Sequence, residues 1–182
     1  MNLQDRTKEL IAATLEDMLT RMPLEKVRVG ELCALCGAGR QTFYYHFRDK
    51  YDVVAWIFER DYRLAELRAG KCNAQAVVAD ALERMWERRA FYREAFEDKS
   101  RYSITAHIQD FDVTLMTAIV TEHLGVDRLT PQQTFAIKHF SHGSIGCTLE
   151  WLRGEMEATP QELAAWEFAS MPDFLGRAYG MA

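Results

Sequence analysis

Apolar residues recur along this chain at three- and four-residue intervals. Ile11, Leu15, Met18, Leu19 and Met22 follow i, i+4, i+7, i+8 and i+11, a single stripe on an amphipathic helix. Pro23 ends that stripe, because proline lacks the amide donor and clashes with the preceding turn. A second, short helix is predicted over Val29 to Cys36, with Val29, Leu32, Cys33 and Cys36 on one face. Gly37-Ala38-Gly39 breaks the chain, and a third short helix follows over about Arg40 to Phe47. Asp49 suits the N-cap of a fourth helix, which carries Tyr51, Val54, Ala55 and Phe58 and runs to about Leu67.

Longer helices are predicted beyond Gly70. One covers about Ala74 to Arg89, a short piece lies near Phe91 to Phe96, and another runs from about Tyr102 to Leu124, closed by Gly125. Thr130-Pro131-Gln132-Gln133 and Thr159-Pro160-Gln161-Glu162 each put Thr at the N-cap, Pro at the first helical position and Gln or Glu two residues after that proline. That is a capping box with proline where its missing N–H costs nothing. The helix between them runs from about Pro131 to Gly154, and the last begins at Pro160, is interrupted near Pro172 and ends at Gly180. The sequence shows no two-residue alternation for a strand and no internal repeat, so the predicted fold class is all-α.

Composition narrows the class. No apolar run approaches the roughly 18 residues of a membrane helix, and the first ten residues lack the basic and apolar regions of a signal peptide. A cytoplasmic protein with no membrane partner is the expectation. Cys33 and Cys36 are spaced CxxC, while Cys72 and Cys147 stand apart. That set supplies no paired zinc framework, so no metal or cofactor is expected. The i, i+3 pair is either two small buried hydrophobes or a redox-sensitive pair.

The second and third helices with their glycine turn make a helix-turn-helix. The third reads Arg40-Gln41-Thr42-Phe43-Tyr44-Tyr45-His46-Phe47. Phe43 and Phe47 share an inward face; Arg40, Gln41, Thr42, Tyr44, Tyr45 and His46 are left outward or at the flanks, with no acid among them. Arg reads guanine, Gln reads adenine, and a Tyr ring meets a thymine methyl. Hydroxyls of Thr and Tyr suit phosphates, as does Lys50 beside a helix N-terminus.

The net charge of −5, from 22 Lys+Arg and 27 Asp+Glu, argues against nucleic acid until it is located. Residues 1–50 hold eight basic and seven acidic side chains, a balance of +1, so the remainder carries −6. The acidity belongs to the C-terminal part. The marginal +1 implies weak non-specific affinity and specificity resting on few contacts.

The stretch GAGRQTFYYHFRDKYDVV resembles the signature of TetR-type bacterial transcription regulators, specifically across about residues 5–60. The run RQTFYYHFRDKYD and the segment FSHGSIGCTLEWLRGEMEATPQELA are similar to the branch that includes regulators of dihydroxyacetone-kinase operons. The resemblance implies a three-helix DNA-binding domain over residues 1–48 and a C-terminal helical bundle over 49–182 for dimerisation and regulation, joined by the helix at about 49–67. It places Thr42, Tyr44 and Lys50 at phosphate-binding positions, and Arg40, Gln41 and Tyr45 where bases are commonly met. His46 is the motif histidine and Phe47 the core aromatic. Arg28 replaces the usual capping Thr and has the reach for a phosphate; Gly39 replaces the usual Ser. Arg28, Arg48 and Lys50 flank the reading helix.

The function so implied is a homodimeric, sequence-specific regulator, a repressor, that puts its third helix into the major groove of a palindromic double-stranded operator. Its input is an unknown small-molecule effector or, alternatively, a partner protein of co-activator type. Gly143 and Gly146, with Trp151, Leu163 and Trp166, are the candidate dimer interface. Trp86, Tyr102, His107, Phe111, Met116, His139 and His142 are the candidate effector pocket. No nucleophile–base set, phosphate loop or paired helical ExxH motif is present, so an enzyme is not expected.

Overall fold

The structure is a computed structural model that describes residues 3–70, 73–97 and 104–181. The described residues form helices and connecting turns, with no strand among them. The order is α1 (Leu3–Leu19), a 3₁₀ turn (Leu24–Lys26), α2 (Val29–Cys36), α3 (Arg40–His46), α4 (Lys50–Ala69), α5 (Ala74–Glu87), α6 (Arg89–Glu97), α7 (Ile104–Leu124), α8 (Pro131–Arg153), α9 (Pro160–Ala169) and α10 (Asp173–Ala178). The expected all-α class is met. The expected start of the seventh helix, near Tyr102, lies outside the described residues.

Local chemistry explains the boundaries. Asp49 accepts from the Asp52 amide at 2.9 Å and opens α4. Thr130 with Gln133 and Thr159 with Glu162 form complete capping boxes, each followed by proline at the start of the helix. Hydrogen bonds donated by the Thr159 amide and hydroxyl hold the Glu162 carboxyl below its ordinary range. Gly37 closes α2 at φ 67, a left-handed conformation that favours glycine. Arg28 and Gly39, the two departures from the family pattern, cap α2 and α3 without any side-chain hydrogen bond. The 3₁₀ turn was not expected from the sequence. Three residues are too short for periodicity, and it exists to bury Leu24.

One core runs through most of the molecule. Ile11, Leu15 and Leu19 of α1 meet Leu32, Phe43 and Phe47, and the same cluster continues through Val54 and Ile57 to Tyr92, Ile108, Trp151 and Leu163. A smaller cluster forms around Met116, Val120, Ile137, Phe140 and Leu175. Cys33 is buried in the main core, and burial pushes its thiol above the usual range. Cys36 donates to the Cys33 carbonyl at 3.6 Å instead of pairing through sulfur. The pair therefore packs as small hydrophobes.

A polar tie fixes α1 against the rest. Arg60 of α4 donates to Glu9 and Glu16 of α1 at 2.8 and 2.9 Å. Arg88, between α5 and α6, donates to Glu16 at 3.1 Å and also to Asp61. Tyr92 closes the set by donating to Asp61 at 2.5 Å. Burial alone would lower the Arg60 pKa, but Asp61 and Glu16 outweigh it and hold the guanidinium charged. Among the described residues no helix is long and apolar enough to cross a membrane.

Candidate nucleic-acid interface and regulatory cavity

The α3 helix rests on two rings. Phe43 and Phe47 are buried, 6.0 Å apart between centroids, and Trp56 packs edge-on against Phe47 at 5.9 Å. Their burial leaves Arg40, Gln41, Thr42, Tyr44 and Tyr45 exposed and His46 partly so. Tyr44 is 59% exposed and Tyr45 71%, a large aromatic area left at the surface. Tyr45 and His46 stand edge-to-face at 5.0 Å, so the outward ring is braced by its neighbour. Arg40 folds its guanidinium over Gly30 of α2, where a Cβ would come within 2.5 Å of it.

The flanks divide by role. Arg28 is exposed at the N-terminus of α2. Arg48 is 87% exposed and reaches Asp52 at 3.2 Å. Lys50 has a task the sequence did not reveal. Its ammonium donates to the carbonyls of Glu25 at 2.8 Å and Val27 at 3.0 Å, tying the start of α4 to the 3₁₀ turn below α2.

A second site lies among α4, α5, α7, α8 and α9. It is a cavity of about 110 Å³. Rings of Phe58, Tyr62, Phe96, Phe140, Phe168 and Tyr179 line it, together with Met116 and two acids, Asp112 and Glu167. Ser141 donates to Asp112 at 3.4 Å, and Thr148 to Glu167 at 3.2 Å. Burial pushes Asp112 up to about 7 and Glu167 up to about 8, the latter also by its proximity to Asp112.

The expected effector-pocket residues lie for the most part beside this cavity. Of the six candidates among the described residues, Met116 alone lines it. Trp86 stacks on Trp151 at 4.7 Å under the Arg89 guanidinium, a packing role at the surface. His107 lies 3.1 Å from Glu59 and packs edge-on against Phe58. Phe111 backs the wall, 5.5 Å from Phe58 and 5.1 Å from Tyr62, without reaching the space. His139 stacks on Phe135, and His142 meets Gln109 and the Lys138 carbonyl. Tyr102 lies outside the described residues. Asp112 and Glu167 went unnoticed in the sequence. Their signal was phase: Asp112 sits at i+4 on the stripe Ile108, Asp112, Met116, and Glu167 at i+4 from Leu163.

Residues 73–166, slightly over half the chain, match the TetR-type family described as "Transcriptional regulator C-terminal region". The chain belongs to the TetR family of transcriptional regulators. The HTH-type dhaKLM operon transcriptional activator DhaS of Lactococcus lactis subsp. lactis (strain IL1403) is 29% identical over 56 residues, which is 31% of this chain and 30% of that protein. The matched part is thus under a third of that relative's length. A solved dihydroxyacetone kinase operon activator DhaS superposes with a TM-score of 0.63 over 96% of this chain and 97% of its own, at 18% identity. A TetR-family transcriptional regulator from Streptomyces coelicolor superposes with a TM-score of 0.52 over 99% and 89%, at 15% identity. At those identities the superpositions speak for the fold. Relatives and family are regulators and not enzymes, as the missing catalytic motifs had suggested.

The dimer candidates of this TetR-family chain separate into two groups. Gly143 and Gly146 lie exposed on α8, with open space where their Cβ atoms would stand. Trp166 on α9 is 49% exposed, and Phe135 on α8 is 69% exposed. Trp151 and Leu163 are buried inside the subunit. The Trp151 indole donates to the Ala158 carbonyl at 2.8 Å, as a buried indole must find an acceptor.

Proposed function

We propose that this TetR-family regulator works as a homodimer on a palindromic operator, with residues 1–48 as the DNA-binding unit and 49–182 as the dimerisation and regulatory unit. The observation that carries this reading is the outward face of α3, where five exposed side chains able to meet bases and phosphates stand on a buried Phe43–Phe47 base with no acid among them. The helix enters a major groove. Arg40 and Gln41 read base edges, Tyr45 meets a thymine methyl, and Thr42 and Tyr44 hold phosphates. Arg28, His46, Arg48 and Lys50 flank the groove.

Two-fold symmetry supplies the second half of the interaction. Gly143 and Gly146 let a second copy's backbone approach closely, while Phe135 and Trp166 offer apolar area beside them. Two copies of α3 then fall one duplex turn, or a whole multiple of it, apart. Occupation of such an operator represses by excluding the transcription machinery. Activation is the second reading, favoured by the name of the Lactococcus relative, and it would suit a C-terminal unit that engages a partner protein.

Selection of bound duplexes from a random pool tests the reading. An enriched inverted repeat supports it; an asymmetric motif or no enrichment contradicts it. A reporter placed behind the enriched site then gives the sign of regulation.

A further inference from the structure

We propose that the C-terminal cavity is a binding site for a small organic ammonium ion. The regulatory meaning of that site rests on the function proposed above, but binding itself does not.

The buried acids on neighbouring helices show what is unusual about the partly buried Asp112 and Glu167. Asp61 is 3% exposed and is met by Arg60 and Arg88. Asp80 is 9% exposed and is met by Arg84 at 2.8 Å and Arg68 at 3.0 Å. Each buried carboxylate on those helices has its cation in place. Among the described residues Asp112 and Glu167 have none within 4.0 Å, and no described Lys, Arg or His lines the cavity they face. Each has one hydroxyl donor, from Ser141 and Thr148, for two carboxylate oxygens. Two acids facing one apolar space without a counter-charge leave room for a positive charge that comes from outside.

The rest of the wall agrees on what kind of charge. Six aromatic rings surround the space, and their faces attract a cation that carries little tightly held water. A metal ion would want a fuller oxygen set, and no group of three or more His, Cys, Asp or Glu that could hold one occurs among the described residues. The volume of about 110 Å³ suits a ligand of about six heavy atoms, judged against cavities of similar size that accept benzene. An alkylated ammonium head of that size satisfies charge, shape and surface together. Its charge lies between Asp112 on α7 and Glu167 on α9, and its methyl groups lie against the rings. Phe58 and Tyr62 of the wall flank Arg60 and Asp61 on α4, so the helix that touches the ligand also holds the tie to α1.

Calorimetric titration of the full chain with choline, against its uncharged isostere 3,3-dimethyl-1-butanol, tests this at pH 8.5. The expected result is choline binding at least about tenfold tighter than the alcohol, and at least about tenfold weaker choline binding in Asp112→Asn and in Glu167→Gln. Equal or tighter binding of the alcohol overturns the proposal, as does absence of choline binding, or folded variants that bind choline as the parent does. The choline-to-alcohol comparison needs no variant, so a variant that fails to fold leaves the test intact. Binding of the same preparation to its selected duplex separates the two readings. Intact DNA binding without choline binding sinks the cavity site alone, and choline binding without DNA binding sinks the regulator reading alone.

Discussion

Arg60 of α4 reaches Glu16 of α1 with a guanidinium N–H donated at 2.9 Å. The two residues lie 44 positions apart in sequence, and the contact joins the helix that supports the helix-turn-helix to the helix that lines the cavity. The network continues through Arg88, Asp61 and Tyr92. Removing one partner from such a buried set strands the others. Asp61→Asn should destabilise the fold by about 3 kcal/mol. Urea unfolding checks this: the midpoint should fall with little change in slope.

Gly30 leaves the space that Arg40 occupies. Gly30→Ala puts a methyl group there, and the flexible end of Arg40 swings away at little cost. The alanine also favours the helix, so thermal stability should hold or rise by up to about 1 kcal/mol. Specific binding to the selected duplex should weaken about fivefold, because Arg40 loses its fixed approach to the base edge. A fluorescence-anisotropy titration against the selected and a scrambled duplex separates the two effects.

The pH dependence of stability follows from Asp112 and Glu167. Burial raises Asp112 to about 7 and Glu167 to about 8. Each keeps its proton in the folded state at pH values where the unfolded chain has lost it. The folded state binds more protons across roughly pH 4 to 8, so the stability this gives is full below about pH 4 and is lost as pH rises through 7 and 8. Among the described residues, Tyr62 and Tyr179 are the ionisable groups that line the cavity with these acids, both held above the ordinary phenol range by burial and neutral throughout that window. Thermal unfolding between pH 5 and 8.5 should show a falling melting temperature. Asp112→Asn with Glu167→Gln should flatten that fall and raise stability at pH 8.5.

Gly146 faces open space on α8. Gly146→Arg should therefore fold as the parent does, yet block a second copy. Sedimentation velocity should show a dimer for the parent and a monomer for the variant, with duplex binding lost in proportion. A dimer that survives the arginine places the interface elsewhere.

Much of the fold was legible because helices write their period and caps locally. Val29–Cys36 and the two Thr-Pro starts at Pro131 and Pro160 needed only nearby residues. The outward face of α3 was legible for the same reason, since Phe43 and Phe47 fix its phase. The cavity was not, because its walls come from several helices and depth is a property of packing between them. Aromatic and histidine side chains were expected there by type. Trp86, His107 and Phe111 instead found partners one layer away, while Met85 and Asp112, their neighbours in sequence, line the space. Trp151 and Leu163 are buried within the subunit, and apolar bulk alone does not distinguish a core face from an interface. Lys50 shows the converse: a cation that looked destined for phosphate also fastens a turn.

The central claim is that α3 reads bases. Binding-site selection carried out in parallel with the parent and Gln41→Ala tests it most directly. The account predicts an inverted repeat for the parent, and for the variant the same repeat with base preference lost at one position, symmetrically in both half-sites, at a cost of about 1–3 kcal/mol. An unchanged half-site bound uniformly more weakly would contradict it.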